Sequence, residues 1–125
     1  MIFGIGTDIV SITRMRENFE KHGEKFARRI LTAMEMEDFL KAKRPEHFLA
    51  KRFAAKEAAA KALGTGFSSG LSLGHIGVNH DEKGKPLLEF SGKAQEFIEQ
   101  FGISDSHISI ADEQEHAVAF VTLEV

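Results

Sequence analysis

The most regular hydrophobic pattern in the chain predicts a helix over residues 45–63. Pro45 suits the first helical turn, where its missing N–H is not needed, and Gly64 supplies a left-handed end. Seven alanines cover most of the helix surface, so neighbouring backbones can approach it closely. At about 100° per residue, one apolar stripe runs along it with one lysine included: Leu49, Phe53, Lys56, Ala60 and Leu63. This pattern predicts an internal helix with charges at its margin.

Two charged residues on this helix allow more than one interpretation. Glu57 and Lys61 are four residues apart and project along the same edge of the helix. The simplest interpretation is one stabilising Glu–Lys pair on a strong helix. The alternative is that the two side chains take part in chemistry.

The N-terminus alternates loosely in polarity and predicts a strand over residues 2–6, which residues 7–10 end or continue. Asp8 stands between apolar neighbours, where a strand disfavours aspartate and burial without a partner is costly. Asp8 is therefore either a cap at the end of the strand or a carboxylate directed at a cation.

Residues 11–30 show a helical pattern with two distinct faces. The apolar face consists of Ile12, Met15, Phe19, Phe26 and Ile30. A separate basic stripe consists of Arg14, Lys21, Lys25 and Arg28, provided that Gly23 does not break the helical phase. Such a stripe is either a solvated surface or a docking face for an acidic partner. Thr32 with Glu35 then forms a capping-box pattern, which predicts a short helix to about residue 43.

The second half of the chain is predicted to consist mainly of hairpins. Residues 66–70 are expected to be a loop and residues 81–86 a turn. Strands are predicted over 71–79, 87–90, 107–111 and 116–125, with an amphipathic helix over 91–102. Helices followed by hairpins indicate an α+β fold with an antiparallel sheet packed on the long central helix.

Composition narrows the class of protein. A length of 125 residues predicts one domain, residues 1–125, that can bury a core, and the absence of cysteine excludes disulfides and thiol nucleophiles. No apolar run approaches about 18 residues, so a cytoplasmic protein is expected. Residues 1–61 carry 13 Lys/Arg against 9 Asp/Glu, whereas residues 62–125 carry 3 against 10. The basic half suggests a phosphate ligand or an acidic protein partner, and it is too mild for a duplex-DNA binder.

Candidate chemistry reduces to two carboxylates and a group of basic residues. No nucleophile elbow, Walker loop or His-x-x-x-His pair is present. Asp8 and Glu57 offer hard oxygen ligands, which hold Mg²⁺ when substrate phosphates complete its shell. The basic residues between positions 41 and 61 would suit such a substrate.

Four blocks of sequence together resemble one known family. They are Gly4-Ile-Gly-Thr-Asp-Ile-Val10, the stretch from Phe48 to Gly66, Gly84-Lys-Pro86 and His107-Ile-Ser-Ile110. In order and spacing they are similar to the holo-acyl-carrier-protein synthase family, the small 4′-phosphopantetheinyl transferases, over essentially the whole chain. The sequence departs from the family pattern mainly at Gly74, Gly77, Asn79 and His80.

This resemblance implies a reaction and a set of site residues. The expected reaction transfers 4′-phosphopantetheine from coenzyme A to a serine of apo acyl carrier protein and releases 3′,5′-ADP, a step of fatty acid biosynthesis. The resemblance implies that Asp8 and Glu57 bind Mg²⁺ and that Lys61 lies near the pyrophosphate. It further implies a homotrimer with coenzyme A in clefts between subunits, and carrier docking on Arg14 and its basic neighbours. The implied coenzyme A site contains Arg52, Lys61, Gly64, Thr65, Pro86 and His107.

Two other functions remain compatible with the residues alone. A divalent-metal phosphohydrolase would use Asp8 and Glu57 with water as the nucleophile. A non-enzymatic module would dock an acidic helix on the stripe that contains Arg14. The general base also stays open between Glu57, Lys61 and a metal-bound water molecule.

Overall fold

The computed structural model describes all 125 residues and contains five helices and five strands. The strands are β1 (Ile2–Ser11), β2 (Ile76–His80), β3 (Pro86–Phe90), β4 (Asp105–Asp112) and β5 (His116–Glu124). The helices are α1 (Ile12–His22), α2 (Glu24–Ile30), α3 (Ala33–Leu40), α4 (Pro45–Leu63) and α5 (Gly92–Gln100), and a 3₁₀ turn covers Leu73–His75. The predicted α+β class with antiparallel strands is confirmed.

The strands form two antiparallel sheets. The larger sheet has the order β1-β5-β4, and β2 pairs with β3 in a separate hairpin. Burial alternates along β5, where Ala117, Ala119, Val121 and Leu123 are buried. These residues face α4, which packs across the larger sheet and occupies the centre of the molecule.

Helix α4 begins and ends where the sequence predicts. Pro45 occupies its first turn, and Gly64 caps it in the left-handed region at φ 82°. It is buried on nearly every side, because α1, α2 and α3 cover the surface that the sheet does not. The prediction of an internal helix is confirmed, but Lys56 is completely buried rather than marginal.

The contact between α4 and β1 requires glycine on the strand. A Cβ built at Gly6 would lie 1.9 Å from the Ala58 carbonyl oxygen, and one at Gly4 would lie 2.1 Å from that of Ala62. Both glycines therefore allow a backbone-to-backbone approach that no side chain permits. On α4, alanines such as Ala58 and Ala62 likewise keep the helix surface low enough for this approach.

The predicted single helix over residues 11–30 is wrong at one point. Gly23 adopts φ 66° and ends α1, and α2 begins at the next residue. The pattern of apolar residues continues through the break, which is why periodicity alone does not reveal it. Other differences are smaller: β1 continues through Asp8 to Ser11, and the predicted strand over 71–79 is a 3₁₀ turn followed by β2.

A buried ion pair joins three elements inside the fold. Glu35 completes the predicted capping box with Thr32 at the start of α3. Its Oε1 also accepts a 2.6 Å hydrogen bond from Lys56 Nζ, and its Oε2 accepts one of 2.9 Å from the Val78 amide. Burial lowers the pKa of Lys56, and the neighbouring Glu35 carboxylate opposes that shift.

We expect Gly6→Ala to destabilise the protein severely, by about 3 kcal/mol or more, because a buried backbone must move to admit the methyl group. Gly74→Ala is the matched control, since a Cβ there meets nothing within 4 Å. Chemical denaturation of both variants measures the difference. Equal midpoints for the two variants would contradict the tight approach of β1 and α4.

Candidate active site

The first carboxylate reaches the site because β1 continues past residue 6. Asp8 pairs with Ala119 of β5 in the ladder and lies on the same strand face as Gly4 and Gly6. That face is directed at α4. The Asp8 side chain is only 18% exposed. Asp8 is therefore a carboxylate in the interior of the strand and not a cap at the strand end.

The second carboxylate and the lysine come from α4. Lys61 Nζ donates to Asp8 Oδ1 at 3.1 Å and to the Thr7 carbonyl oxygen at 2.9 Å. The simplest interpretation of the sequence pairs Lys61 with Glu57 on the same helix. In the structure Lys61 instead donates to a carboxylate of β1, that of Asp8. Asp8 lies 53 positions before Lys61, and the fold brings it to the edge of α4 that carries Glu57 and Lys61.

The charges at this place are unbalanced. Partial burial raises the pKa of Glu57, and the Asp8 carboxylate raises it further, while Lys61 acts in the opposite direction. Two carboxylates thus repel each other across a space that holds one ammonium group. Hard, anionic oxygen donors in this arrangement fit Mg²⁺, which binds through one or two carboxylates and leaves room for substrate phosphates.

A cleft of about 850 Å³ opens beside the two carboxylates. Apolar side chains from α1, α2 and α4 contribute to its walls, among them Met15, Phe26 and Phe53. Two guanidinium groups, those of Arg14 and Arg29, lie on its lining. A cleft with apolar walls and cationic residues next to a carboxylate pair suits an amphipathic, acidic partner.

The structure divides the predicted basic stripe. Arg14 lines the cleft, whereas Lys21, Lys25 and Arg28 do not, and Arg28 donates to Glu24 at 3.0 Å. Sequence reasoning missed Arg29, because the break at Gly23 changes the phase of the second helix. The signal was available: Arg29 lies three residues after Phe26, on the edge of the apolar face of α2.

The predicted coenzyme A residues are distributed over several parts of one chain. Arg52 and Pro86 line a second, smaller hollow of about 220 Å³, together with Lys51, His80 and Asp112. His107 is exposed on β4, in a shallow depression that Phe120 and Thr122 also line. Two further residues lie at the end of the long helix: Gly64 caps α4, and Thr65 follows it.

Arg52 is one of the two buried Lys or Arg side chains of the molecule. Burial lowers its pKa, and its guanidinium lies 4.3 Å from the centroid of the Phe48 ring. Its Nε is buried, makes no hydrogen bond and lies 3.5 Å from Glu35 Oε2. The hollow that it lines carries positive charge, which suits an anionic group.

Comparison with known proteins agrees with this geometry. A family model described as the 4′-phosphopantetheinyl transferase superfamily matches residues 4–121. The holo-acyl-carrier-protein synthase of Nitrosococcus oceani is 58% identical over 123 residues, which cover 98% of this chain and 80% of that protein. The crystal structure of the corresponding synthase from Neisseria meningitidis has a TM-score of 0.95 and 46% identity, with all of both chains covered.

A synthase of the same name from Bacillus anthracis, solved in complex with CoA (3′,5′-ADP), has a TM-score of 0.84 and 40% identity. That match covers 99% of this chain and 97% of the other. The present chain therefore belongs to the 4′-phosphopantetheinyl transferase superfamily. Among its members, the chain is similar over its whole length to the holo-acyl-carrier-protein synthases. The predicted family and enzyme class are confirmed.

If Asp8 and Glu57 share one metal ion, neutralising either should weaken Mg²⁺ binding by at least about tenfold, since even groups that only support ligands contribute about 10–100-fold. Glu57→Gln should not reduce the melting temperature of the metal-free protein, because it removes a repulsion. Calorimetric titration of Asp8→Asn and Glu57→Gln with Mg²⁺ measures the first effect.

The matched control for this titration is Glu46→Gln. Glu46 lies at the start of the same helix and is 3.9 Å from Arg16. We expect this variant to bind Mg²⁺ as the wild-type protein does. Wild-type affinity in Glu57→Gln would exclude Glu57 from the metal site.

Proposed function

We propose that this chain transfers 4′-phosphopantetheine from coenzyme A to a serine of apo acyl carrier protein, with Mg²⁺, and releases 3′,5′-ADP. The observation that carries the proposal is the meeting of Asp8, Glu57 and Lys61 beside a cleft that is partly apolar and partly cationic. Membership of the transferase superfamily supports the same reaction. A place in fatty acid biosynthesis and in the cytoplasm belongs to this proposal.

The side chains of the site would act mainly through position and charge. Asp8 and Glu57 would hold Mg²⁺, which when bound supplies positive charge to neutralise the phosphates. Lys61 stands next to this pair and is directed by Asp8 and the Thr7 carbonyl. An ammonium fixed in this way can offset the charge that develops on the leaving phosphate without reorganising during the reaction.

The cleft would place the carrier serine. Arg14 and Arg29 suit the acidic surface of a carrier, and the apolar walls suit the hydrophobic side of a docked helix. Holding the serine oxygen and the phosphorus in one geometry removes much of the entropic barrier. Glu57 is the carboxylate of the pair that Lys61 does not bond, and it remains a candidate for the general base.

A mass spectrum of apo carrier incubated with this protein, coenzyme A and Mg²⁺ tests the function directly. The carrier should gain one phosphopantetheine group, and 3′,5′-ADP should appear only when carrier is present. A phosphohydrolase would release nucleotide without carrier. A non-enzymatic module would bind carrier and leave its mass unchanged.

We expect Lys61→Met to lower kcat by at least about a hundredfold, comparable to the loss of one oxyanion donor. The melting temperature should hardly move, because exposed ion pairs contribute only about 0.2–1 kcal/mol. Lys93→Met removes another lysine that pairs with a carboxylate, that of Glu96 on α5, and should keep the wild-type kcat. A normal rate with a lowered melting temperature in Lys61→Met would reduce Lys61 to a structural role.

We also propose that the chain works as a homotrimer. The outer face of the larger sheet is apolar and uncovered: Ile5, Ile9 and Phe120 are 60%, 66% and 46% exposed. Adjacent apolar residues on neighbouring strands mark a surface for association. His107 lies on this face too, so coenzyme A bound between subunits could contact His107 of one copy and the carboxylate site of another.

Phe120→Lys should therefore convert the protein to a monomer and weaken coenzyme A binding. Light scattering after size-exclusion chromatography gives the mass, and calorimetry gives the affinity. Leu40→Lys is the control, since Leu40 is an exposed apolar residue on α3, away from the sheet. A wild-type protein that is monomeric at high concentration would contradict the trimer.

Carrier docking predicts a separation of the two Michaelis constants. Arg14→Glu and Arg29→Glu should each raise KM for the carrier by about tenfold and leave KM for coenzyme A within about twofold. Added salt should mimic the substitutions, because screening acts beyond about 10 Å at 0.1 M. Lys83→Glu, in the turn between β2 and β3, is the charge-matched control. An effect of Arg29→Glu on coenzyme A alone would assign that residue to the nucleotide.

A further inference from the structure

The charge with the greatest burial in the molecule lies beside the candidate site. The Lys56 side chain is 0% exposed, and its ammonium donates three hydrogen bonds. Its acceptors are Glu35 Oε1 at 2.6 Å, the Ile30 carbonyl at 2.6 Å and the Leu73 carbonyl at 3.3 Å. All three donors of the ammonium are used, so the group is fully satisfied.

The two carbonyls that Lys56 holds belong to walls of the cleft. Ile30 is the last residue of α2, and Leu73 is the first residue of the 3₁₀ turn. Both residues line the cleft that also contains Asp8 and Glu57. One ammonium therefore connects two segments that α2 and the loop after α4 would otherwise place independently.

Stability alone does not account for this arrangement. A buried ion pair can often be replaced by apolar residues without loss of stability, because its desolvation cost offsets its attraction. Apolar side chains at positions 35 and 56 would make no hydrogen bond to the Ile30 and Leu73 carbonyls. The network fixes where the two walls lie, which packing alone leaves adjustable.

We propose that Lys56 is a positioning residue that holds the carrier-binding walls of the cleft at Ile30 and Leu73, with Glu35 fixing the ammonium between them. This role rests on the proposed function of the cleft. Glu35 is itself held by the Thr32 and Val78 amides, so the network is anchored in α3 and β2. Lys61, at the predicted pyrophosphate position, is held by Asp8 and the Thr7 carbonyl and not by this network.

The test uses the full-length double variant Glu35→Gln with Lys56→Met, which removes both buried charges together. We expect it to fold, as judged by circular dichroism and a cooperative thermal transition. Its KM for the carrier should rise by at least about tenfold. Its KM for coenzyme A should rise less, because the amide oxygen of Glu35→Gln can still accept from Arg52 Nε, which lies 3.5 Å from Glu35 Oε2. If this variant does not fold, Lys56→Gln in the same Glu35→Gln background is measured in its place.

Leu49→Ala is the control for general loosening of the core. Leu49 lies on the same helix, is 0% exposed and makes no bond to the cleft walls. It should lower the melting temperature and leave the ratio of the two KM values unchanged. A carrier KM that stays at the wild-type value in the double variant, or one that Leu49→Ala raises equally, would overturn the positioning role.

Failure of this inference is distinguishable from failure of the proposed function. If the wild-type protein does not modify the carrier at all, the function is wrong. If the wild-type protein modifies the carrier and the double variant keeps its ratio of KM values, only the role of Lys56 is wrong.

Discussion

The close approach of β1 to α4 is the constraint on which the rest of the molecule depends. Glycine at positions 4 and 6 removes every side-chain atom from the contact, and the alanines of α4 do nearly the same on the helix. The strand therefore lies directly on the helix backbone. Because Asp8 follows on the same face of β1, this contact also decides that Asp8 reaches Glu57 and Lys61. Core packing and chemistry thus share one cause.

The buried surface of α4 consists largely of alanine, so this helix contributes few large side chains to the core. Phenylalanine and aliphatic residues from the surrounding elements fill part of that volume, and no tyrosine or tryptophan brings a polar group into it. Three of the four buried polar side chains, Glu35, Lys56 and Arg52, lie together, and the fourth, His47, contacts Asp112. Each of these is reached from α3 or α4, so a single network serves the two hollows on either side of it.

The sequence revealed those parts of the structure that neighbouring residues determine. The limits of α4 follow from Pro45 and Gly64, and the capping box of Thr32 and Glu35 is a local signal that the structure confirms. The sequence offered the break at Gly23 only as a condition, because a positive φ leaves no trace in the apolar periodicity. Similar sequence blocks, rather than periodicity, indicated the residues that meet at the site.

What the sequence could not predict depends on contacts between distant residues. The burial of Lys56 requires Glu35, which lies 21 positions earlier and seemed only to cap a helix. The pairing of Lys61 with Asp8 spans 53 positions and replaces the expected partner one turn away. Arg29 was missed because its exposure to the cleft depends on how α2 turns after α1. Only for Lys61 did helical spacing name a partner, Glu57, and there the fold supplied the Asp8 carboxylate instead.

The uncovered face of the larger sheet has a consequence for how the protein responds to its own concentration. A catalytic cleft that a neighbouring copy completes would obey mass action, so activity per copy would fall on dilution while each copy kept its fold. Substrate bound across the boundary would oppose that loss, because it would bind only the associated form. Saturating coenzyme A would then favour the associated form, and each copy would be most active where coenzyme A and the protein are both abundant.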